Sequence, residues 1–205
     1  MTIKTAPLGE LGANFYMVTD ENTNEMFVVD PGANPDLAVR MVQDSGADLK
    51  YIILTHAHVD HIGALDKVKE RFDVPVVIHR DDAKALNDSH TNLCAAFGSP
   101  SPVTKADLIT EDGQTLPFGN GHIRIIHTPG HTRGSICVLY EDSLFSGDTL
   151  FECSVGRTDF PGGSFNTLRH SIQSKLYTLS ESTIVYPGHG NRTTIEFEKN
   201  NNPFV

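Results

Sequence analysis

At 205 residues, 39% of them hydrophobic and 20% charged, the chain can bury a core of its own, and nothing in its composition fits a disordered or low-complexity protein. Its 26 acidic residues against 16 Lys and Arg give a formal charge of −10, which repels phosphate backbones and anionic membrane surfaces, so no nucleic-acid or membrane partner is expected and a small molecule is. Cys94, Cys137 and Cys153 have no paired spacing, no apolar run approaches the about 20 residues of a membrane span, and MTIKTAPLGELGANFY has no leader-like apolar core; a cytoplasmic setting with free thiols is the expectation.

In chain order, the apolar runs at 14–20 and 26–30 predict a hairpin, and Pro31-Gly32 then breaks the chain. Asn34 as cap, Pro35 at the first position and Leu37, Met41 and Val42 on one face predict a helix ended by Gly46. YIILT at 51–55 is a continuous apolar run, as in a strand buried on both faces. Ile62, Leu65, Val68 and Phe72 then recur at helical spacing, and 74–78 is the next strand. Residues 89–105, with Pro100 and Pro102, predict an irregular loop near a site. Strands follow at 122–128, 135–140 and 143–147, then a helix over 165–179 with Phe165, Leu168, Ile172 and Leu176 on one face, a last strand at 182–188, and a short closing helix. Strand and helix alternate, which means an α/β fold; with no linker in view, residues 1–205 read as one domain.

The chemistry concentrates in THAHVDH, where His56, His58, Asp60 and His61 crowd six residues directly behind a buried strand. His56 and His58 alternate and can face one metal; Asp60 and His61 lie further round and suit a second. A solvated polar turn is the bland alternative, and four ligand-type side chains packed this tightly behind a strand argue against it. Three more apolar strands end in Gly or Pro and a ligand-type residue: TPGHT carries His131, SGDTL carries Asp148, YPGHG carries His189. Each alone is ordinary turn chemistry. Together they fit the strand-end edge of an α/β sheet, where sites form.

This set, H-x-H-x-D-H followed by separate His, Asp and His, resembles the metallo-β-lactamase superfamily in its glyoxalase II-like branch, from the N-terminal hairpin through PGHG, with no motif position substituted. The resemblance implies a four-layer αβ/βα sandwich of two mixed β-sheets flanked by helices. It implies two divalent metal ions per chain, with His56, His58 and His131 on the first, Asp60, His61 and His189 on the second, and Asp148 bridging. Imidazole and carboxylate donors without thiolate suit Zn, Fe or Mn, with Zn expected. It further implies a hydrolase in which a metal-activated hydroxide attacks a thioester carbonyl, most simply one of the S-2-hydroxyacylglutathione type, with Asp60 and Asp148 catalytic through the metals. A thiolate of pKa about 8.5 leaves without a strong general acid. In VGRTDFPGG, Arg157 takes the place of the branch's basic glutathione-binding residue, while the branch's Tyr is missing; an internal pair of Arg157 with Asp159 is the equal alternative. The branch's C-terminal helical domain is also missing, and in this the sequence is similar to short bacterial members.

Two other readings stay open: a mononuclear iron persulfide dioxygenase on His56, His131 and Asp148, which the GRTDF segment resembles, and a non-catalytic metal-binding module. Oligomeric state is left open. Among the remaining residues, Asp30 at a strand end is expected to orient a ligand histidine. His79 reads as a helix-entry residue, and His90, His122, His127 and His170 as structural or solvated. Cys153 reads as a buried, inert thiol.

Overall fold

The computed structural model describes residues 1–205. One six-stranded sheet holds, in spatial order, β1 (Thr2–Leu8), β2 (Ala13–Thr19), β3 (Glu25–Val29), β4 (Asp48–Ile53), β5 (Val76–His79) and β6 (Leu108–Thr110). Its first three strands pair antiparallel and its last four parallel. The chain continues through β7 (Thr115–Phe118), β8 (Gly121–His127), β9 (Ile136–Tyr140) and β10 (Ser143–Gly147), a small hairpin β11 (Leu150–Phe151) and β12 (Ser154–Val155), then β13 (Ile184–Pro187) and β14 (Thr193–Thr194). The second sheet runs β14-β13-β10-β9-β8-β7, with β10 and β13 parallel and every other pair antiparallel. Both sheets are therefore mixed.

Side-chain alternation builds the layers. Along β2, Tyr16 and Val18 face the second sheet while Phe15 and Met17 face outward; along β3, Phe27 and Val29 alternate with Met26 and Val28 in the same way. The inner set meets Phe118, Ile123, Ile125, Val138 and Phe145 between the sheets. Outside the first sheet, α1 (Pro35–Ser45) and α3 (Leu65–Phe72) press Val42, Leu65 and Val68 onto Ile52 and Leu54. Outside the second, α4 (Phe165–Ser171) and α5 (Ile195–Asn201) bring Leu168 and Ile195 onto Leu144 and Val185. Helix, sheet, sheet, helix is the four-layer αβ/βα sandwich that the resemblance implied.

Several local expectations need correction. The periodic segment over Ile62–Phe72 is two helices, α2 (Val59–Ile62) and α3, because the Gly63 and Ala64 N–H groups donate to Gly32 and Pro31 carbonyls instead of continuing the helix. Asn34 does not cap α1 with its side chain; its Oδ1 accepts from Gly9 N–H at 2.9 Å, and its backbone is left-handed. The helix expected over 165–179 passes at Ile172 into a π-turn through Leu176, closed by Tyr177 N–H to the Ile172 carbonyl, and the wider turn keeps Ile172 and Leu176 on the core. Strand β1 has no counterpart in the sequence reading, since an edge strand with three of its seven residues exposed and Pro7 within it carries little apolar signal. No helix is long and apolar enough to cross a membrane.

Candidate metal centre

The carboxyl ends of β3, β4, β8, β10 and β13 open onto one edge of the sandwich. The turns beyond them carry Asp30, His56–His61, His131, Asp148 and His189. All seven sequence-predicted ligands meet there. Ring nitrogens of His56, His58 and His131 converge: His58 Nδ1 is 2.9 Å from His131 Nε2, which is 3.3 Å from His56 Nε2. Beside them Asp60 Oδ2 lies 3.2 Å from His189 Nε2 and 3.7 Å from His61 Nε2. Asp148 stands between the two groups, Oδ1 at 3.4 Å from His61 Nε2 and Oδ2 at 3.6 Å from His131 Nε2.

Several of the rings are held from behind. His61 Nδ1–H donates to Asp30 Oδ2 at 2.9 Å, and His131 Nδ1–H donates to the Arg157 carbonyl at 2.7 Å. The Thr55 hydroxyl donates to Asp30 Oδ2 at 2.6 Å, which leaves its oxygen to accept from His56 Nδ1–H at 3.1 Å. In each ring the outer nitrogen carries the proton and the Nε2 lone pair points inward. The glycines give the room. A Cβ on Gly188 would stand 2.1 Å from Asp148 Oδ1, and one on Gly156 1.7 Å from the Asp148 carbonyl oxygen.

These donors fit divalent cations. His61 Nε2 and Asp148 Oδ1 are buried with no hydrogen-bond partner, a costly state unless another group takes their lone pairs. Two nitrogens bound tetrahedrally at about 2.0–2.1 Å stand about 3.3 Å apart, against 2.9 and 3.3 Å between the imidazoles here. The protein's own electrostatics split the groups. Burial, with the neighbouring imidazoles, pushes His58 down to about 3 and His56 well below its usual value. Burial also opposes charge on His61, but Asp148, Asp30 and Asp60 outweigh it and hold His61 well above the imidazole range; His189 is raised by Asp60 and Asp148 against the same penalty. Asp148 is held below the carboxylate range because His61 and the other imidazoles overcome its burial.

A family model, the metallo-beta-lactamase superfamily, matches residues 8–189. The chain belongs to this superfamily. Over 208 residues it is 36% identical to the Bacillus subtilis protein named probable metallo-hydrolase YqgX, covering all of this chain and 98% of that one. It is 33% identical over 209 residues to the Haemophilus influenzae hydroxyacylglutathione hydrolase GloC, again covering all of this chain and 98% of the relative. Among solved structures, the BLEG-1 B3 metallo-beta-lactamase superposes with a TM-score of 0.94 at 38% identity over 99% of both chains. TTHA1623 in a di-iron-bound form superposes at 0.87 and 34% identity, over 98% of this chain and all of that one. The fold is thus the metallo-beta-lactamase fold, and the superfamily, with these His and Asp clusters, makes the chain a metal-dependent hydrolase of a small molecule.

Around the ligands lies a cleft of about 370 Å³ with apolar walls that include Leu11, Leu93, Phe97, Phe151 and Phe160. Leu93 and Phe97 come from the 89–105 loop, so the segment expected near a site lies at it. Arg157 also lines the cleft, but its guanidinium is tied to Asp159 at 2.6 and 2.7 Å and stacks over Phe160 at 3.9 Å. Asp82 escaped sequence reasoning. It accepts from Ala57 N–H, Thr132 Oγ1 and Gly134 N–H, tying the His56–His58 turn to the His131 turn. Its one signal was an acid just after a strand end. His79 and His127, read as separate, stack at 3.8 Å with Asp81 nearby; parallel rings aim their lone pairs in parallel planes, poorly suited to one ion. Cys153 is exposed rather than buried.

Proposed function

We propose that the chain is a binuclear, zinc-dependent thioesterase acting on S-2-hydroxyacylglutathione-type substrates. In this reading His56, His58 and His131 hold one ion, Asp60, His61 and His189 the other, and Asp148 serves both. The observation that carries it is the position of Asp148 between the two histidine groups, its Oδ1 beside His61 and its Oδ2 between His131 at 3.6 Å and His189 at 3.7 Å. When bound, the ions would supply Lewis-acid polarisation of the acyl carbonyl and a water acidified to a pKa of about 7.

The chain's own residues do the rest. Asp30, Thr55 and the Arg157 carbonyl hold three imidazoles in the tautomer that presents Nε2 inward. Asp82 fixes the spacing of the His58 and His131 turns. Phe160, edge-on to His58 at 5.6 Å, covers that ring from solvent. Every carboxylate lining the cleft belongs to the ligand set, which suits a leaving group that departs as an anion, and a thiolate with a pKa of about 8.5 is one. For the acidic carrier, Lys84 and Arg133, beside Asp81 and the already hydrogen-bonded Asp82, line a cavity of about 210 Å³ that reaches His58, and Arg157 becomes a further cation if a substrate carboxylate displaces Asp159.

The test is hydrolysis of S-D-lactoylglutathione with metal determined on the same preparation. Efficient turnover at close to two ions per chain supports the reading. Absence of turnover at full occupancy overturns the substrate, and one iron per chain with oxygen consumption on glutathione persulfide replaces the reading with a dioxygenase.

A further inference from the structure

We propose that the metal cleft continues beneath Leu11 and Phe97 into a second groove, one wall of which is apolar and seats the acyl chain of the substrate, so that medium-length apolar acyl thioesters are preferred over short ones. The identity of that ligand as an acyl group rests on the thioesterase reading. The groove, about 340 Å³, is bounded by Leu8, Ala33 and Pro100 and shares Leu11, Val59, Asp60 and Phe97 with the cleft. At about 30 Å³ for each water-sized group it holds about ten such groups.

Leu11 and Phe97 are 48% and 52% exposed, and both sit at the seam of the two cavities. They come from separate loops. Leu11 rides the β1–β2 turn between Gly9 and Gly12, both with positive φ, and Phe97 follows the Leu93 carbonyl that accepts its N–H at 3.2 Å. Two large apolar side chains left in water at the mouth of a metal cleft gain by covering an apolar ligand.

Charge settles which arm of the substrate enters. The groove's charged residues are Glu10 and Asp60, both acidic, and its Asn34 side-chain Oδ1 is already engaged by Gly9 N–H. A carboxylate-bearing carrier is repelled there. The other neighbouring cavity, the one that reaches His58, sets two cations, Lys84 and Arg133, against two carboxylates, Asp81 and Asp82, and Asp82 is already engaged by Ala57 N–H, Thr132 Oγ1 and Gly134 N–H, so this side does not repel a carboxylate as the groove does. An acyl thioester whose carbonyl sits at the metals therefore points its carrier toward His58 and its acyl chain past Asp60 into the groove.

The experiment uses the metal-loaded full chain and two ligand series. S-acylglutathiones from acetyl to octanoyl are compared by kcat/KM, and the non-cleavable S-methyl, S-butyl and S-hexylglutathiones by calorimetric affinity. The expected result is a rise of about two- to fourfold per methylene in both series, flattened by Leu11→Ala and by Phe97→Ala. Val103→Ala, an exposed apolar residue of the same loop outside both cavities, keeps the rise. A flat or falling wild-type series, or slopes unchanged in both lip variants, overturns the groove. Equal cleavage of every chain length removes the groove and leaves the thioesterase. No cleavage of any thioester, with an S-alkyl affinity that still rises and is flattened by the lip variants, removes the thioesterase and keeps the groove.

Discussion

Replacing Asp30 by Asn keeps the size of the side chain and tolerates the left-handed backbone at that position, where φ is 52°. It changes one thing that matters. Oδ1 can still accept from Thr55 N–H at 2.7 Å, but an amide NH₂ in place of Oδ2 meets the His61 Nδ1–H donor head-on at 2.9 Å. His61 must then lose the contact or move its proton to Nε2, which removes the inward lone pair. The Thr55 hydroxyl can rotate and accept from the new amide while still accepting from His56 Nδ1–H, so the three-histidine group is spared. A buried hydrogen bond to a charged group is worth about 1.5–3 kcal/mol, and loss of such an outer partner typically weakens metal binding about 10- to 100-fold; the two ranges agree. Chelator competition on the variant should show that loss at one of two ions, with the other within about threefold of wild type. Equal weakening of both ions, or none, would refute the assignment of Asp30 to His61 alone.

Further expectations concern the same edge of the fold. His56→Ala removes one of three converging nitrogens and should abolish turnover while lowering bound metal more than about 100-fold, beyond the outer-partner range; full activity at unchanged metal content would contradict it. Gly188→Ala puts a methyl 2.1 Å from Asp148 Oδ1 and 2.9 Å from His61 Cε1, so metal content should fall, read by elemental analysis, while circular dichroism stays native. Protons and metal ions compete for the same nitrogens. His61 and His189 are raised and His56 and His58 lowered, so as pH falls protons claim the acidic group first. Stepwise dialysis from pH 8 downward should therefore release one ion before the other, and simultaneous release would count against two unlike sites. Iodoacetamide at pH 8 should label Cys153 and spare Cys94 and Cys137, the last pushed up to about 11 by burial. Because slight desolvation and the Glu198 and Glu152 carboxylates raise the Cys153 thiol, its labelling rate should still climb above pH 9.

What was legible in the sequence was what repeats locally. The strands with apolar side chains on both faces announced themselves, since Met26, Phe27, Val28 and Val29 must serve two cores at once. Each strand-end motif carried its ligand, because a turn that aims a His or Asp inward needs Gly or Pro beside it and the pair is adjacent in sequence. Edge strands were not legible: β1 and β14 owe their existence to pairing with β2 and β13, and their residues carry little apolar signal of their own.

Of the supporting shell, the strand-end Asp30 was legible as the residue that orients a ligand histidine, as its contact with His61 bears out, while Asp82 was hidden for a related reason. Asp30 hydrogen-bonds Thr55 and His61 across 25 and 31 positions, and Asp82 reaches Gly134 across 52. A motif shows which atoms could bind a cation, since those sit in short runs, whereas the groups that fix each ring's tautomer are chosen by tertiary contact alone. The walls follow the same rule. Leu11 and Phe97 come from loops nearly ninety residues apart, the β1–β2 turn and the β5–β6 connection, and line one cleft only because the first sheet brings the two loops together. Reaction class was therefore legible from the ligand motif, while preference among substrates resides in residues whose partnership only the folded chain reveals.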